Sequence, residues 1–253
     1  MSELPLVDVP GGRVEYEDVL GDSTLTPLLF LHEGLGSVRL WRGFHRRIAT
    51  ATGRRAVAYS RLGHGGSDLP NAKRTPRYMH DEAVEVVPAL RAALGMERVV
   101  LVGHSDGASI ALLHAARADP AGVAVLAPHV FVEEEGLRGI EQARRNYIDG
   151  DLRTRMARHH RDPDVTFWNW NDGWLDDAFR DWDIRPELAG ITCPVLGVQG
   201  TADPYGTVVH VEAVRDAAAG PVTLQILDCG HAPHLERPAD TDVAVTEFLR
   251  GLP

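Results

Sequence analysis

The segment from residue 99 to 118 constrains the fold more than any other part of this 253-residue chain. Val99 to Val102 is a short apolar run rich in β-branched residues, which is typical of a strand buried on both faces. Small and apolar residues from Ala108 to Ala118 predict a helix. Between them lies Gly103-His-Ser-Asp-Gly107, a G-x-S-x-G sequence at a strand-to-helix turn. Such a turn raises the Ser105 hydroxyl above the sheet edge, beside free backbone N–H groups, and therefore predicts a nucleophilic serine.

Predicted strands and helices alternate along the chain, with short loops between them. This order predicts an α/β fold, in which a mostly parallel eight-stranded sheet is flanked by helices. Strands are expected at residues 4–9, 13–20, 27–33, 56–59, 99–102, 123–127, 195–199 and 222–227, and helices at 40–51, 77–94 and 108–118. Ligands of such sheets bind outside the carboxyl ends of the strands, where Ser105 lies.

The stretch between the sixth and seventh strands has a different character. Residues 133–149 and 152–160 look helical, and residues 167–182 contain four of the five tryptophans. We therefore expect a core of residues 1–129 and 191–253, with residues 130–190 inserted after strand six as a helical cap over the sheet. The candidates for lining the pocket under this cap are Trp41, His129, Trp168 and Trp170.

Composition restricts the partners and the location of the protein. A net charge of −10 argues against nucleic acid or an anionic membrane as a partner. No apolar run approaches the roughly 20 residues that span a bilayer, and the start lacks the pattern of a signal peptide. Cys193 and Cys229 are expected at opposite ends of the sheet, too far apart for a disulfide. We expect a cytoplasmic protein, and the sequence predicts no particular oligomeric state.

No motif predicts a metal ion or a cofactor. His159 and His160 are adjacent and point in different directions on a helix, and there is no H-E-x-x-H motif. The glycine-rich loop at residues 63–67 lacks the Lys-Ser/Thr of a phosphate-binding loop.

Two further residues complete a candidate catalytic set. A serine hydroxyl needs a base to take its proton, and the base needs an acid to orient it. His231 follows the eighth strand and Asp203 follows the seventh, so that the chain order is Ser, Asp, His, as this architecture requires. Asp228 and His234 are the rival acid and base, and Asp203 has the alternative role of a helix cap.

Four segments then resemble the α/β-hydrolase family with a helical lid, and the resemblance runs nearly end to end. They are LHEGLGS after strand three, GHSDG at the turn, GTADPYG after strand seven and CGHAPHLERP after strand eight. The resemblance implies that Ser105 is the nucleophile, His231 the general base and Asp203 its partner. It also implies an oxyanion hole formed by the backbone N–H groups of Asp106 and Gly34.

The chain departs from the family pattern at two places. The family usually has His-Gly where this chain has His32-Glu33, which leaves open whether Gly34 or Glu33 supplies the second oxyanion donor. The loop after strand four usually begins with Asp, and Ser60 stands there instead. We expect a structural consequence at Ser60 and no loss of chemistry.

The predicted function is that of a serine hydrolase, a carboxylesterase that cleaves a small ester through an acyl-enzyme and needs no cofactor. One alternative is hydrolysis of a carbon–carbon bond in a dienone acid of the meta-cleavage type. That chemistry needs basic residues to hold a substrate carboxylate, and the cap offers Arg144, Arg145 and Arg153. Two others are a cofactor-free perhydrolase and, from a different class, a small-molecule receptor that retains the triad.

Overall fold

An eight-stranded sheet forms the centre of the computed structural model, which describes residues 4–253. Its spatial order is β1-β2-β4-β3-β5-β6-β7-β8, and only the β1–β2 and β2–β4 pairs are antiparallel. The strands are β1 Leu6–Val9, β2 Gly12–Val19, β3 Leu28–Leu31, β4 Ala56–Tyr59, β5 Val100–His104, β6 Gly122–Leu126, β7 Val195–Gly200 and β8 Val222–Leu227. The predicted fold class is confirmed.

Two apolar cores lie on opposite faces of this sheet. Successive side chains of a strand point to opposite faces, and Leu29 and Leu31 join one core while Leu28 and Phe30 join the other. Because both faces are covered, the central strands are apolar throughout rather than alternating.

Ten α-helices are assigned among the described residues. They are α1 Phe44–Thr52, α2 Tyr78–Asp81, α3 Val87–Ala93, α4 Asp106–Ala115, α5 Glu134–Asp149, α6 Leu152–Met156, α7 Pro163–Trp174, α8 Val209–Ala217, α9 Pro233–Glu236 and α10 Pro238–Arg250. The buried side chains of α4 belong to one core, and α1 and α10 contribute to the other. None of the helices within residues 4–253 is long and apolar enough to cross a membrane.

The first predicted helix begins later than its apolar pattern indicates. A 3₁₀ turn at Val38–Trp41 precedes it, and Arg42 and Gly43 then adopt left-handed conformations with φ of 49° and 81°. This break brings the rings of Trp41 and Phe44 onto Phe30, at centroid distances of 5.4 and 5.9 Å. Aromatic packing on the sheet therefore overrides a continuous helix from residue 40.

The predicted helix at residues 77–94 is divided into α2, a π-helical turn at Glu82–Val86, and α3. Pro88 is the second residue of α3 and has no N–H to donate to the preceding turn. A widened turn before it keeps the helix axis continuous without that hydrogen bond.

The segment between β6 and β7 contains α5, α6 and α7, together with 3₁₀ turns at Asp177–Phe179 and Arg185–Gly190. α6 ends at Met156, four residues before the predicted end. The two ends of the segment run side by side, because Ile184 N–H donates to Val130 O at 2.8 Å and Phe131 forms a bridge with Asp183. The division into core and cap at residues 130–190 stays a prediction.

Candidate active site

Ser105 occupies a strained turn between β5 and α4. Its φ and ψ are 53° and −121°, in a region that non-glycine residues rarely adopt. The flanking glycines make this turn possible. A Cβ at Gly103 would lie 2.4 Å from the Gly107 carbonyl oxygen, and one at Gly107 would lie 2.0 Å from the Leu31 carbonyl oxygen. The turn thus requires glycine at positions 103 and 107, because a side chain at either position would collide with the backbone.

A hydrogen-bonded chain connects Ser105, His231 and Asp203. His231 Nε2 lies 2.9 Å from Ser105 Oγ, and His231 Nδ1 lies 2.8 Å from Asp203 Oδ2. Burial would raise the pKa of Asp203, but the hydrogen bond and charge of His231 outweigh it and hold this pKa below its usual range. The ionised carboxylate can only accept, so the proton of His231 is on Nδ1 and its Nε2 is free to accept from the serine hydroxyl.

The rival acid and base lie elsewhere. Asp228 is exposed at the end of β8. His234 is 2% exposed and packs against Trp41 and Phe44, and burial lowers its pKa to about 3. Asp203 does not cap the next helix, since α8 begins at Val209 and its N-cap is Val208. Its Oδ1 instead accepts the Tyr205 N–H at 2.8 Å within the turn after β7. The two carboxylate oxygens therefore serve the turn and the histidine separately.

The loop that follows β3 is held by buried polar side chains. His32 donates from Nδ1 to Glu33 O at 2.7 Å and accepts the Arg61 N–H at Nε2. The guanidinium of Arg61, which is 1% exposed, donates to the carbonyl oxygens of His32 and Glu33. His64 donates from Nε2 to Gly34 O at 2.9 Å. Burial and the Arg61 charge keep the pKa of His32 well below its usual value, so that the ring stays neutral.

Gly34 lies beneath the helical segment. A Cβ at this position would lie 2.1 Å from Nε1 of Trp170, so only glycine allows the indole this approach. Gly34 and Asp106 both line the cavity beside Ser105. The carboxylate of Glu33 folds back over Gly36 towards His104. The assignment of the oxyanion donors stays a prediction.

The unusual Ser60 has a partner in the neighbouring strand. Its Oγ donates to Glu15 Oε1 at 2.8 Å and accepts the Val38 N–H at 2.9 Å. Glu15 on β2 is 4% exposed, and Cβ atoms at Gly65 or Gly66 would collide with its carboxylate. Glu15 thus brings a carboxylate to the loop where Ser60 replaces the family's aspartate. The glycine-rich loop closes around that carboxylate, which accounts for its glycines without a phosphate.

Asp106 connects the elbow to two other parts of the chain. Its buried carboxylate accepts the Tyr78 hydroxyl at 2.6 Å and Nε1–H of Trp174 at 3.2 Å. These bonds orient the residue whose backbone N–H is the predicted oxyanion donor. No local signal in the sequence points to Tyr78, since it reaches Asp106 only through the fold.

A cavity of about 100 Å³ opens directly above Ser105. It is lined by Glu33, Gly34, Leu35, Ser105, Asp106, His129, Ile140, Trp170, Trp174, Tyr205 and His231. Two of the predicted lining residues, His129 and Trp170, are in this set. Trp174 could have been found from helical periodicity, because it is four residues after Trp170 and on the same face of α7.

Two predicted lining residues are elsewhere, and both predictions are wrong. Trp41 is 1% exposed and buried among Phe30, Phe44 and His234 in the core beneath the sheet. Trp168 is on the opposite face of α7 from Trp170, because two residues turn a helix by about 200°. It lines a separate outer groove of about 640 Å³ between α7 and residues 69–74.

The three arginines that could hold a substrate carboxylate have partners outside the cavity. Arg144 pairs with Asp172, Arg153 pairs with Asp164, and Arg145 donates to Gln142. His160 is buried, accepting from Gly65 N–H and donating to Leu35 O, whereas its neighbour His159 is half-exposed. No group of three or more potential metal ligands occurs within residues 4–253.

The fold and this site define a hydrolase, and comparison with known proteins specifies the family. A model of the α/β hydrolase family matches residues 28–242. The chain belongs to the α/β hydrolase family.

Curated relatives include a proline iminopeptidase from Levilactobacillus brevis, 28% identical over 280 aligned residues that cover 92% of each chain. An epoxide hydrolase A from Mycobacterium tuberculosis is 35% identical over 82 residues, which is 31% of this chain and 26% of that protein. Among solved structures, an enol-lactonase from Burkholderia xenovorans has a TM-score of 0.74 at 21% identity, with 97% of this chain and 100% of the other covered. An esterase from Exiguobacterium antarcticum has a TM-score of 0.74 at 18% identity, covering 98% and 99%. At such identities the structural likeness shows the fold alone.

Proposed function

We propose that this hydrolase cleaves a small carboxylic ester with Ser105 as nucleophile, His231 as general base and Asp203 as its partner. The observation that carries the proposal is the continuous hydrogen-bonded chain from Asp203 to the Ser105 hydroxyl, which opens into the cavity. The small volume of that cavity and its apolar walls of Leu35, Ile140, Trp170 and Trp174 favour a short acyl group.

The chemistry follows from the positions of the protons. Ser105 Oγ attacks the ester carbonyl carbon as its proton passes to His231 Nε2, and the imidazolium then protonates the leaving alcohol. Backbone N–H groups of Asp106 and Gly34 are proposed to bind the oxyanion, where loss of one donor costs roughly 10²–10³ in rate. Water activated by His231 releases the acid. Asp203 keeps the ring oriented and stabilises its cationic form.

Hydrolysis of a carbon–carbon bond in a dienone acid is less well supported. It requires a cation for the substrate carboxylate, and Arg144, Arg145 and Arg153 all have partners away from the cavity. Within residues 4–253, the residues that line the cavity include the acidic Glu33 and Asp106 but no arginine or lysine.

A peptidase acting on proline substrates is the second candidate. Relatives of that name match over almost the whole chain. In addition, Glu33 is one of the residues that line the cavity, and its carboxylate, although paired with His104, places negative charge near the position of a substrate's cationic amine.

One substrate panel separates these candidates. Purified protein is incubated with aryl esters of acetate, butyrate and octanoate and with a proline arylamide, alongside the Ser105→Ala variant. The proposal predicts the fastest turnover with acetate or butyrate, lost in the variant. Faster cleavage of the arylamide would favour the peptidase, and equal turnover by wild type and variant would refute both. Single-turnover product release alone would indicate a receptor.

The buried free thiols of Cys193 and Cys229 are compatible with the cytoplasmic location that belongs to this proposal.

A further inference from the structure

A second imidazole contacts the nucleophile. His129 follows β6, is 5% exposed, and places Nε2 3.4 Å from Ser105 Oγ on the cavity wall. The ring of His231 contacts the same oxygen, and the two ring centroids are 5.8 Å apart. Ser105 Oγ therefore lies between two histidines, of which the proposed mechanism uses one.

The hydrogen-bonding capacity of the serine determines which atom of His129 carries a proton. Asp203 fixes the proton of His231 on Nδ1, so Ser105 donates its single hydroxyl proton to His231 Nε2. The remaining lone pairs of Oγ can only accept. For His129 Nε2 to make a favourable contact with Oγ, that nitrogen must carry the hydrogen and donate it. Burial and the neighbouring His210 and His231 keep the pKa of His129 well below its usual value, so that the ring is neutral.

The position of His129 is fixed independently of Ser105. Its backbone N–H donates to Ser109 Oγ at 3.2 Å, and the Ser109 hydroxyl donates to its carbonyl oxygen at 2.6 Å. Its ring packs edge-on against Trp174 and His210, with centroids 5.0 and 5.4 Å away. A Cβ at Gly206 would lie 3.3 Å from Cε1 of His129. A ring confined in this way is a preorganised donor.

We propose that His129 is a further catalytic residue of the proposed esterase, whose Nε2–H donates to Ser105 Oγ as that oxygen leaves during deacylation. This inference rests on the proposed function. In deacylation, water loses a proton to His231 Nε2 and its oxygen bonds to the acyl carbon. The bond from that carbon to Oγ then breaks, its electron pair goes to Oγ, and the imidazolium of His231 returns the proton there. His129 keeps its own proton and stabilises the developing negative charge on Oγ.

The two halves of the reaction should depend on this bond differently. In acylation the donor withdraws density from the attacking oxygen, so its loss costs little. In deacylation the oxygen is the leaving group, and loss of a charge-assisted donor is expected to slow the step about 10- to 100-fold.

The test compares His129→Leu, which has no donor, with His129→Gln, which retains an N–H. Rapid mixing with an aryl acetate gives the acylation rate, and intact-protein mass after removal of substrate gives the lifetime of the acetylated enzyme. We expect the leucine variant to acylate within about threefold of wild type and to retain the acetyl adduct about 10- to 100-fold longer. The glutamine variant should recover much of the difference. Should the leucine variant not fold, His129→Phe takes its place.

The experiment distinguishes failure of the role proposed for His129 from failure of the proposed esterase function. Equal slowing of both steps, or no change in either, overturns the role of His129 while esterase activity stands. Absence of both aryl acetate turnover by the wild-type protein and an acetyl adduct on its Ser105 overturns the esterase itself.

Discussion

The carboxylate of Glu33, whose side chain is 24% exposed, and the buried imidazole of His104 form an ion pair, with 3.4 Å between Oε2 and Nδ1. On its other side, His104 donates from Nε2 to the backbone oxygen of His231 at 2.7 Å. Burial alone would raise the pKa of Glu33, but His104 overcomes this and lowers it to about 2. Burial alone would lower the pKa of His104. The hydrogen bond and the charge of Glu33 outweigh this effect, so that the pKa of His104 is raised. The pair thus joins the loop after β3, the serine turn and the loop that carries His231.

This pair should stabilise the protein most in mildly acidic solution. The Glu33 contribution is present above its ordinary pKa and is lost as the pH falls towards 2. The His104 contribution is present below its ordinary pKa and is lost as the pH rises through the raised value. We expect Glu33→Gln to lower the free energy of unfolding by about 2 kcal/mol at pH 6 and by less at pH 9. Denaturant titrations of Glu33→Gln, His104→Asn and the double variant measure this. Additive losses would mean that the two residues do not interact.

The orienting acid can be tested against its rival in the same chain. Asp203→Asn leaves an amide that no longer fixes the proton of His231 on Nδ1, and turnover of a short aryl ester should fall by about 10⁴. Asp228→Asn is the matched control, because that carboxylate is exposed and absent from the hydrogen-bonded chain. The measurement is the steady-state kcat of each variant with the aryl ester. Similar losses of kcat in both variants would contradict the assignment of Asp203 as the acid that orients His231.

The two tryptophans on opposite faces of α7 should differ in their effect on the size of the acyl group that the protein prefers. Trp170→Ala opens the cavity over Gly34 and should raise the octanoate-to-acetate ratio of kcat/KM about tenfold, since each buried methylene contributes about 0.8 kcal/mol. Trp168→Ala opens the outer groove and removes packing against Tyr147 and Phe167, but Trp168 does not line the cavity, so the ratio should stay unchanged. A shift in the Trp168 variant would show that the groove contributes to substrate selection.

Tyr78 and Tyr59 each donate a buried hydroxyl to a carboxylate, but only Tyr78 reaches the site. Their acceptors are Asp106 at 2.6 Å and Glu82 at 2.8 Å. Either phenylalanine substitution should cost about 1–3 kcal/mol of stability by leaving an acceptor underpaired. Only Tyr78→Phe should also lower kcat, because Asp106 carries a proposed oxyanion donor. Equal kcat values in the two variants would show that the Tyr78–Asp106 hydrogen bond does not contribute to catalysis.

The features that follow from local pattern were predictable from the sequence. The alternation of strands and helices predicts the sheet, and the glycines beside Ser105 predict the turn. The positions of Asp203 and His231 after consecutive strands place both at the same edge of a parallel sheet.

Contacts between distant elements were not predictable in the same way. Trp41 is near the oxyanion loop in sequence, but a 3₁₀ turn directs it to Phe30 beneath the sheet. The Tyr78–Asp106 bond and the Glu15–Ser60 pair join residues 28 and 45 positions apart. No periodicity encodes such pairs, because each depends on how separate helices and strands pack.

The most direct test of the whole account is the site of covalent modification by a fluorophosphonate. Intact mass and peptide mapping locate the adduct in the wild-type protein and in the Ser105→Ala and Asp203→Asn variants. The account predicts one adduct per chain on Ser105, slow labelling of Asp203→Asn, and none of Ser105→Ala. An adduct on another residue, or equal labelling of all three proteins, would contradict it.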